Sequence, residues 1–107
     1  MNRGEIWLAR MLAPDKPRPV VLVSRESAYE SRELITVATV TTHVRDLVSH
    51  VPVGRREGLD RDSAINCDQL STIHRSQLTS RIAKLPPVKI AELNEALRYS
   101  LGLERMS

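Results

Sequence analysis

At Pro86-Pro87 the hydrophobic rhythm of the chain changes, and that change bounds the fold more tightly than any other feature. Before it, apolar residues come in short, β-branched runs separated by polar or proline-bearing segments. After it, Ile90, Leu93, Leu97 and Leu101 fall at spacings of three, four and four, one stripe along a helix. A helix tolerates proline in its first turn and a strand ladder does not, so the two prolines mark the border. Gly102 is placed to end the helix. Several short strands followed by one amphipathic helix imply an α+β fold: a small, strongly twisted antiparallel sheet or barrel with the C-terminal helix packed against it. With 107 residues and no repeat or linker, the chain has the length of one domain, 1–107.

Within the strand region, Glu5 to Ala9 reads as a first strand, and Ala13 to Pro19, with three prolines, reads as a loop. Val20 to Val23 and Ile35 to Thr42 are continuous β-branched runs, the pattern of strands buried on both faces, and belong at the centre of the sheet. Ser27 to Arg32 between them fits either a turn of helix or a polar loop. Leu47 to Val53 reads as a strand closed by Pro52 and by the basic loop Gly54-Arg55-Arg56-Glu57-Gly58. A short strand near Ala64 to Cys67, a polar turn, and a last strand from Thr79 to Leu85 complete the pattern.

Composition narrows the function classes. Hydrophobic residues at 41% and charged residues at 27% exclude a disordered chain. No apolar run reaches bilayer length, and Met1-Asn2-Arg3-Gly4-Glu5 lacks the apolar core of a signal peptide, so a cytoplasmic protein with no membrane partner is expected. The lone Cys67 excludes an intrachain disulfide and a zinc ribbon, and burial in its strand accounts for it. The formal charge of +3, carried by 13 arginines among 16 basic residues, points to an acidic partner. Guanidinium forks match phosphate oxygens well, although coding bias alone also enriches arginine. Trp7, Tyr29 and Tyr99, with no phenylalanine, are too few for a base-stacking platform, so any contact with nucleic acid is expected to be polar.

Three groups of residues could carry chemistry. In Lys16-Pro17-Arg18-Pro19 the prolines restrict the backbone and hold Arg18 at the entry to a buried strand, where a fixed cation suits an anion; a surface arginine paired with a carboxylate is the plainer reading. Thr39, Thr41 and Thr42 end the second buried strand, where a hydroxyl could donate to a ligand, but threonine also simply favours strands. His43, His50 and His74 include two imidazoles that could serve as acid and base, yet their spacing is that of ordinary surface histidines. No HExxH, Cys/His ligand cluster, P-loop or GxGxxG is present, so neither a metal nor a nucleotide cofactor is expected.

The ordered blocks Arg3-Gly4-Glu5-Ile6-Trp7-Leu8-Ala9, Arg18-Pro19-Val20-Val21-Leu22-Val23-Ser24, Val37-Ala38-Thr39-Val40-Thr41-Thr42, Arg61-Asp62-Ser63-Ala64-Ile65 and Asp68-Gln69-Leu70-Ser71-Thr72-Ile73, running on to Gln77 to Ile82, resemble the MazF/PemK family of toxin endoribonucleases. The resemblance covers nearly the whole chain. It implies an SH3-like, PemK-type barrel that forms a homodimer, cleaves single-stranded RNA without a metal to a 2′,3′-cyclic phosphate and a 5′-hydroxyl, and is silenced by a cognate antitoxin. Carried over by motif, the family's essential arginine falls on Arg18 and its essential threonine on Thr41, with Thr42 as the fallback. Ser63 and Gln69 lie in blocks the family places beside the site or the dimer interface. Lys16, Arg55 and Arg56 would track the flanking phosphates. The link from Arg10 to Pro17 is shorter than is common in the family and has no glycine. A gyrase-poisoning toxin on the same scaffold and a non-catalytic barrel that binds RNA or protein are the rival readings.

Overall fold

The computed structural model describes residues 1–11 and 16–103. Six strands form one antiparallel sheet: β1 (Glu5–Ala9), β2 (Arg18–Leu22), β3 (Leu34–Thr41), β4 (His50–Val53), β5 (Ser63–His74) and β6 (Leu78–Lys84). A four-residue helix, α1 (Ala28–Ser31), joins β2 to β3, and α2 (Pro87–Leu101) follows the sheet. Their order across the sheet is β4-β5-β3-β2-β1-β6, so β2 and β3 are central. The sheet is open, with β4 and β6 at its edges, and "barrel" describes its curvature only.

Alternation in the central strands explains their uninterrupted apolar runs. Val21 and Ala38 join Ile6, Val51, Val53, Ile65 and Cys67 on the face that packs Leu93, Ala96 and Leu97 of α2. Val20, Leu22, Ile35 and Val37 point the other way, into a second cluster with Ala9, Tyr29 and Ile73. A strand with a core on each face has no polar side to display. Gly4 lies where the chain start, β2 and α2 converge. Its N–H donates to Leu22 O at 2.8 Å, its carbonyl accepts from Leu85 N–H at 3.0 Å, and its φ is +88°. A Cβ there would lie 2.2 Å from Ile90 Cδ1, so backbone sign and space both call for glycine.

Several expected boundaries move, each for a local reason. Arg18 and Pro19 belong to β2 and not to the preceding loop: Ala9 pairs with Arg18 and Leu8 with Pro19, while pairing with β3 starts only at Val20. Proline is tolerated because the ladder on that side has already ended. The expected strand from Leu47 is cut to His50–Val53, because Leu47 N–H bonds to Arg45 O and His50 N–H to Leu47 O, forming a turn. The expected short strand near Ala64 to Cys67 and the polar turn after it fall in one 12-residue strand, Ser63–His74, interrupted by a bulge. Ala38 pairs with Leu70 but Thr39 pairs with Asn66, which leaves Cys67, Asp68 and Gln69 as excess on β5. The excess is held by Cys67 N–H donating to Ser49 O at 2.9 Å and Asp68 N–H donating to Asn66 Oδ1 at 3.0 Å. The helical stripe holds for Ile90, Leu93 and Leu97, but Leu101 is exposed as α2 runs out. Gly102 then turns at φ +67°. Of the link read as Ala13 to Pro19, Ala13, Pro14 and Asp15 lie outside the described residues.

Candidate active site at the ends of β2 and β3

The β2–β3 register pairs Leu22 with Val37, Val21 with Ala38 and Val20 with Thr39. Pairing ends there, and Arg18 and Thr41 each lie two residues beyond that last pair, at neighbouring ends of β2 and β3. The two-residue alternation of a strand puts both side chains on the face shared by Val20 and Thr39, away from α2. Arg18 is exposed and forms no ion pair with a described residue. Thr41 is half-buried, and its Oγ1 accepts a hydrogen bond of 3.0 Å from the His43 backbone N–H. That bond occupies a lone pair and leaves the hydroxyl proton free to donate.

Thr41 opens onto a cavity of about 330 Å³ lined also by His43, Arg45, Leu47, His50, Asn66 and Asp68. The fold assembles it from three segments. The register rows run from Thr39 through Asn66 to His50, and from Thr41 through Ala64 to Pro52. The β5 bulge turns Asp68 outward beside Asn66, and the loop 42–49 closes the remaining side. His43 Nε2 lies 3.2 Å from an Arg45 guanidinium nitrogen. Asp68 Oδ2 accepts a 2.5 Å hydrogen bond from the buried Ser49 hydroxyl. That bond is the main reason its carboxyl is held below the usual range; Ser100 and the charge available on His50 assist, and partial burial opposes them. Behind this wall the thiol of Cys67 is fully buried, which pushes its pKa up to about 11 and leaves it inert.

The other residues singled out in the sequence are spread along neighbouring surface. Gln69, on the bulge, accepts from the Thr39 hydroxyl at 3.3 Å and so touches the strand that carries Thr41. Thr42 points into a different cavity of about 410 Å³, with Pro17, Pro19, Arg61 and Ser63. Ser63 is buried and its hydroxyl is used on Arg61 O at 3.0 Å. Arg55 and Arg56 lie in a short 3₁₀ turn lining a third cavity, of about 530 Å³, together with Lys89. Lys16 is exposed just before Pro17. Thus Gln69 touches the strand that carries Thr41, Arg18 lies at the start of β2 beyond the last β2–β3 pair, Thr42 and Ser63 line another cavity, and Arg55 and Arg56 line a third. Sequence reasoning missed Asn66, Asp68 and Arg45, and gave His43 and His50 no common location. Their convergence depends on the bulge, which no local pattern announces. His74 instead caps the turn after β5, accepting from Ser76 N–H.

A family model described as "PemK-like, MazF-like toxin of type II toxin-antitoxin system" matches residues 2–101. The chain belongs to the PemK/MazF toxin family. Among its relatives is a "Probable endoribonuclease MazF2" of Mycobacterium tuberculosis, 31% identical over 103 residues that cover 95% of this chain and 99% of the relative. The solved structure of "Mycobacterium tuberculosis toxin MazF-mt6" superposes with a TM-score of 0.86 at 34% identity, covering 94% of this chain and 99% of that one. A mycobacterial endoribonuclease solved in complex with its cognate antitoxin shares the fold, with a TM-score of 0.87 at 21% identity over 99% of each chain. The PemK/MazF sheet thus presents, in this chain, an arginine and a threonine at the facing ends of its two central strands. No helix among the described residues is long and apolar enough to cross a membrane.

Proposed function

We propose that this chain, acting as a single toxin domain over residues 1–107, is an endoribonuclease that cleaves single-stranded RNA without a metal ion to a 2′,3′-cyclic phosphate and a 5′-hydroxyl. The observation that carries this reading is that Arg18 and Thr41 lie at neighbouring ends of β2 and β3, each two residues past the Val20–Thr39 pair, with the threonine proton left free by the His43 N–H. RNA brings its own nucleophile, the 2′-hydroxyl. An enzyme therefore needs chiefly to hold sugar and phosphate in line and to stabilise the charge that builds on the phosphorus oxygens. Arg18 supplies a permanent positive charge and two donors to those oxygens. The Thr41 hydroxyl donates to a non-bridging oxygen and fixes its direction. Gln69 and Thr42 border the same strand end and guide the flanking nucleotides, and Lys16, Arg55 and Arg56 supply cations along the path.

The membership of a toxin family whose relatives are named endoribonucleases supports the same reading, as does an antitoxin complex in a fold neighbour. By the same reasoning the chain works as a cytoplasmic homodimer and is silenced by a cognate antitoxin whose acidic, disordered segment competes for the basic surface. Incubation of the purified protein with end-labelled RNA in EDTA tests the chemistry. The expected result is cleavage with cyclic-phosphate ends, lost in Arg18→Ala and in Thr41→Ala while both remain folded. Binding without cleavage, or gyrase inhibition in its place, overturns the reading.

A further inference from the structure

The arrangement of Arg18 and Thr41 stabilises charge but leaves open which group removes the 2′-hydroxyl proton, because arginine is protonated at any ordinary pH. We propose that His43 is that general base and that Arg45 covers it until RNA arrives; this rests on the RNA-cleaving reading above. Three observations converge on His43. Its backbone N–H is bonded to Thr41 Oγ1, which keeps the main chain that carries the ring beside that hydroxyl. Its side chain lines the same 330 Å³ cavity as Thr41. Its Nε2 faces the Arg45 guanidinium at 3.2 Å. A guanidinium has no lone pair to offer, so Nε2 is the acceptor in that contact, the form a base must have.

In the free chain the basic lone pair is therefore engaged. An RNA phosphate offers Arg45 an anionic, bidentate partner, and such bonds are roughly twice as strong as neutral ones. Substrate binding thus draws the guanidinium onto a phosphate and uncovers Nε2. The imidazole takes the 2′-hydroxyl proton, the 2′-oxygen forms its bond to phosphorus, and the P–O5′ bond breaks with its electron pair leaving on O5′. O5′ takes a proton from water and the imidazolium returns one to solvent, so the net reaction consumes none. The second imidazole of the cavity is placed differently. His50 sits one row further along the sheet, opposite Asn66, and its Nδ1 is buried without a hydrogen-bond partner among the described residues. The ionisable groups around His43 are Arg45 on its own loop, His50 on β4 and Asp68 on β5, with Arg18 at the adjoining end of β2.

Single-turnover cleavage of a fluorescent RNA across pH 5 to 9, on the whole chain, decides the matter. The parent rate is expected to rise with pH and then level. His43→Gln and His43→Ala should lose that limb and about a hundredfold or more in rate, with RNA affinity held within about threefold. Added imidazole should restore part of the His43→Ala rate. His50→Gln should keep the limb, and Arg45→Ala should keep it while raising KM. If the parent and His50→Gln cut RNA, Arg18→Ala does not, and His43→Gln retains the parent rate and profile, the base is elsewhere and the Arg18–Thr41 reading survives. A limb that disappears with His50→Gln instead overturns the proposal in the same way. A parent that cleaves no RNA at any pH overturns both.

Discussion

The two ends of the β2–β3 ladder are finished in opposite ways. Where Leu22 faces Val37, polar groups are tied back into the chain. Val23 N–H donates to Thr36 O at 3.1 Å, Thr36 N–H to the Ser24 hydroxyl at 2.7 Å, the Tyr29 hydroxyl to Ser24 O at 2.9 Å, and Gly4 N–H to Leu22 O. Tyr29 is buried there, and burial with the nearby Glu26 charge pushes its hydroxyl up to about 12. Nearby, the buried Glu5 accepts from Trp7 Nε1 at 2.9 Å and faces Arg81 at 3.6 Å. At the other end Pro19 has no N–H to give, Arg18 has no carboxylate among the described residues, and Thr41 keeps its proton. The first end is closed in favour of stability. The second leaves its donors unused among the described residues.

The sharpest way to break this contrast is to exchange the effects. Arg18→Ala and Thr41→Ala should each lower cleavage by about a hundredfold or more, the typical cost of losing a transition-state donor, with the melting temperature close to that of the parent. A variant that melts early and retains its activity per folded molecule would place that residue in the stabilising class. Gly4→Ala should do the reverse. Strain at a positive φ and the contact with Ile90 should cost about 1–3 kcal/mol in denaturant unfolding, with cleavage by the folded fraction unchanged. Unaltered stability would mean that α2 yields easily at this point.

A smaller effect sharpens the comparison through pH. Glu5 and Asp68 both have folded pKa values below their ordinary ones. For Glu5, burial alone would raise the value, but the Trp7 indole, the Asn2 backbone and side chain and the terminal charge together outweigh it. A depressed carboxyl adds stability that is full above its unfolded pKa, near 4, and is lost as pH falls through the lower folded value. Ser49→Ala removes the largest cause for Asp68, so its acid unfolding between pH 5 and 2 should lose part of its steepness while cleavage persists at neutral pH. An identical acid limb would show that the Ser49 bond serves only to shape the bulge. The smallest effect concerns the outlying cations: Arg55→Ala and Arg56→Ala should each reduce the slope of log affinity for RNA against log salt by about one, with cleavage of bound RNA unchanged.

What could be read in the sequence follows from how local each signal is. The central position of β2 and β3 was legible because burial on both faces leaves short, continuous β-branched runs. The helix was legible from its period and from Pro87 and Gly102 at its ends. The choice of Arg18 and Thr41 rested on family resemblance alone, because register depends on where two separate strands meet. Arg18 and Pro19 were misplaced because proline usually breaks a ladder, and only the sheet order shows that β2 is unpaired toward β3 at that point. The cavity walls were illegible for a similar reason. Asp68-Gln69 looks like any polar turn until Ser49 and Asn66, distant or unremarked in sequence, are seen to hold it as an interruption within a strand.

That interruption has a consequence for how such chains can diverge. Between Leu70 and Asn66 the strand resets its phase, so the half that seats Ile73 in the interior and the half that crowns the rim are indexed separately. Residues gained or lost at 68–69, where both side chains are exposed, would therefore slide a new set of side chains along the rim while the buried Cys67 and Ile73 keep their places. A lineage could retune its choice of target by such vernier steps while its scaffold stays fixed.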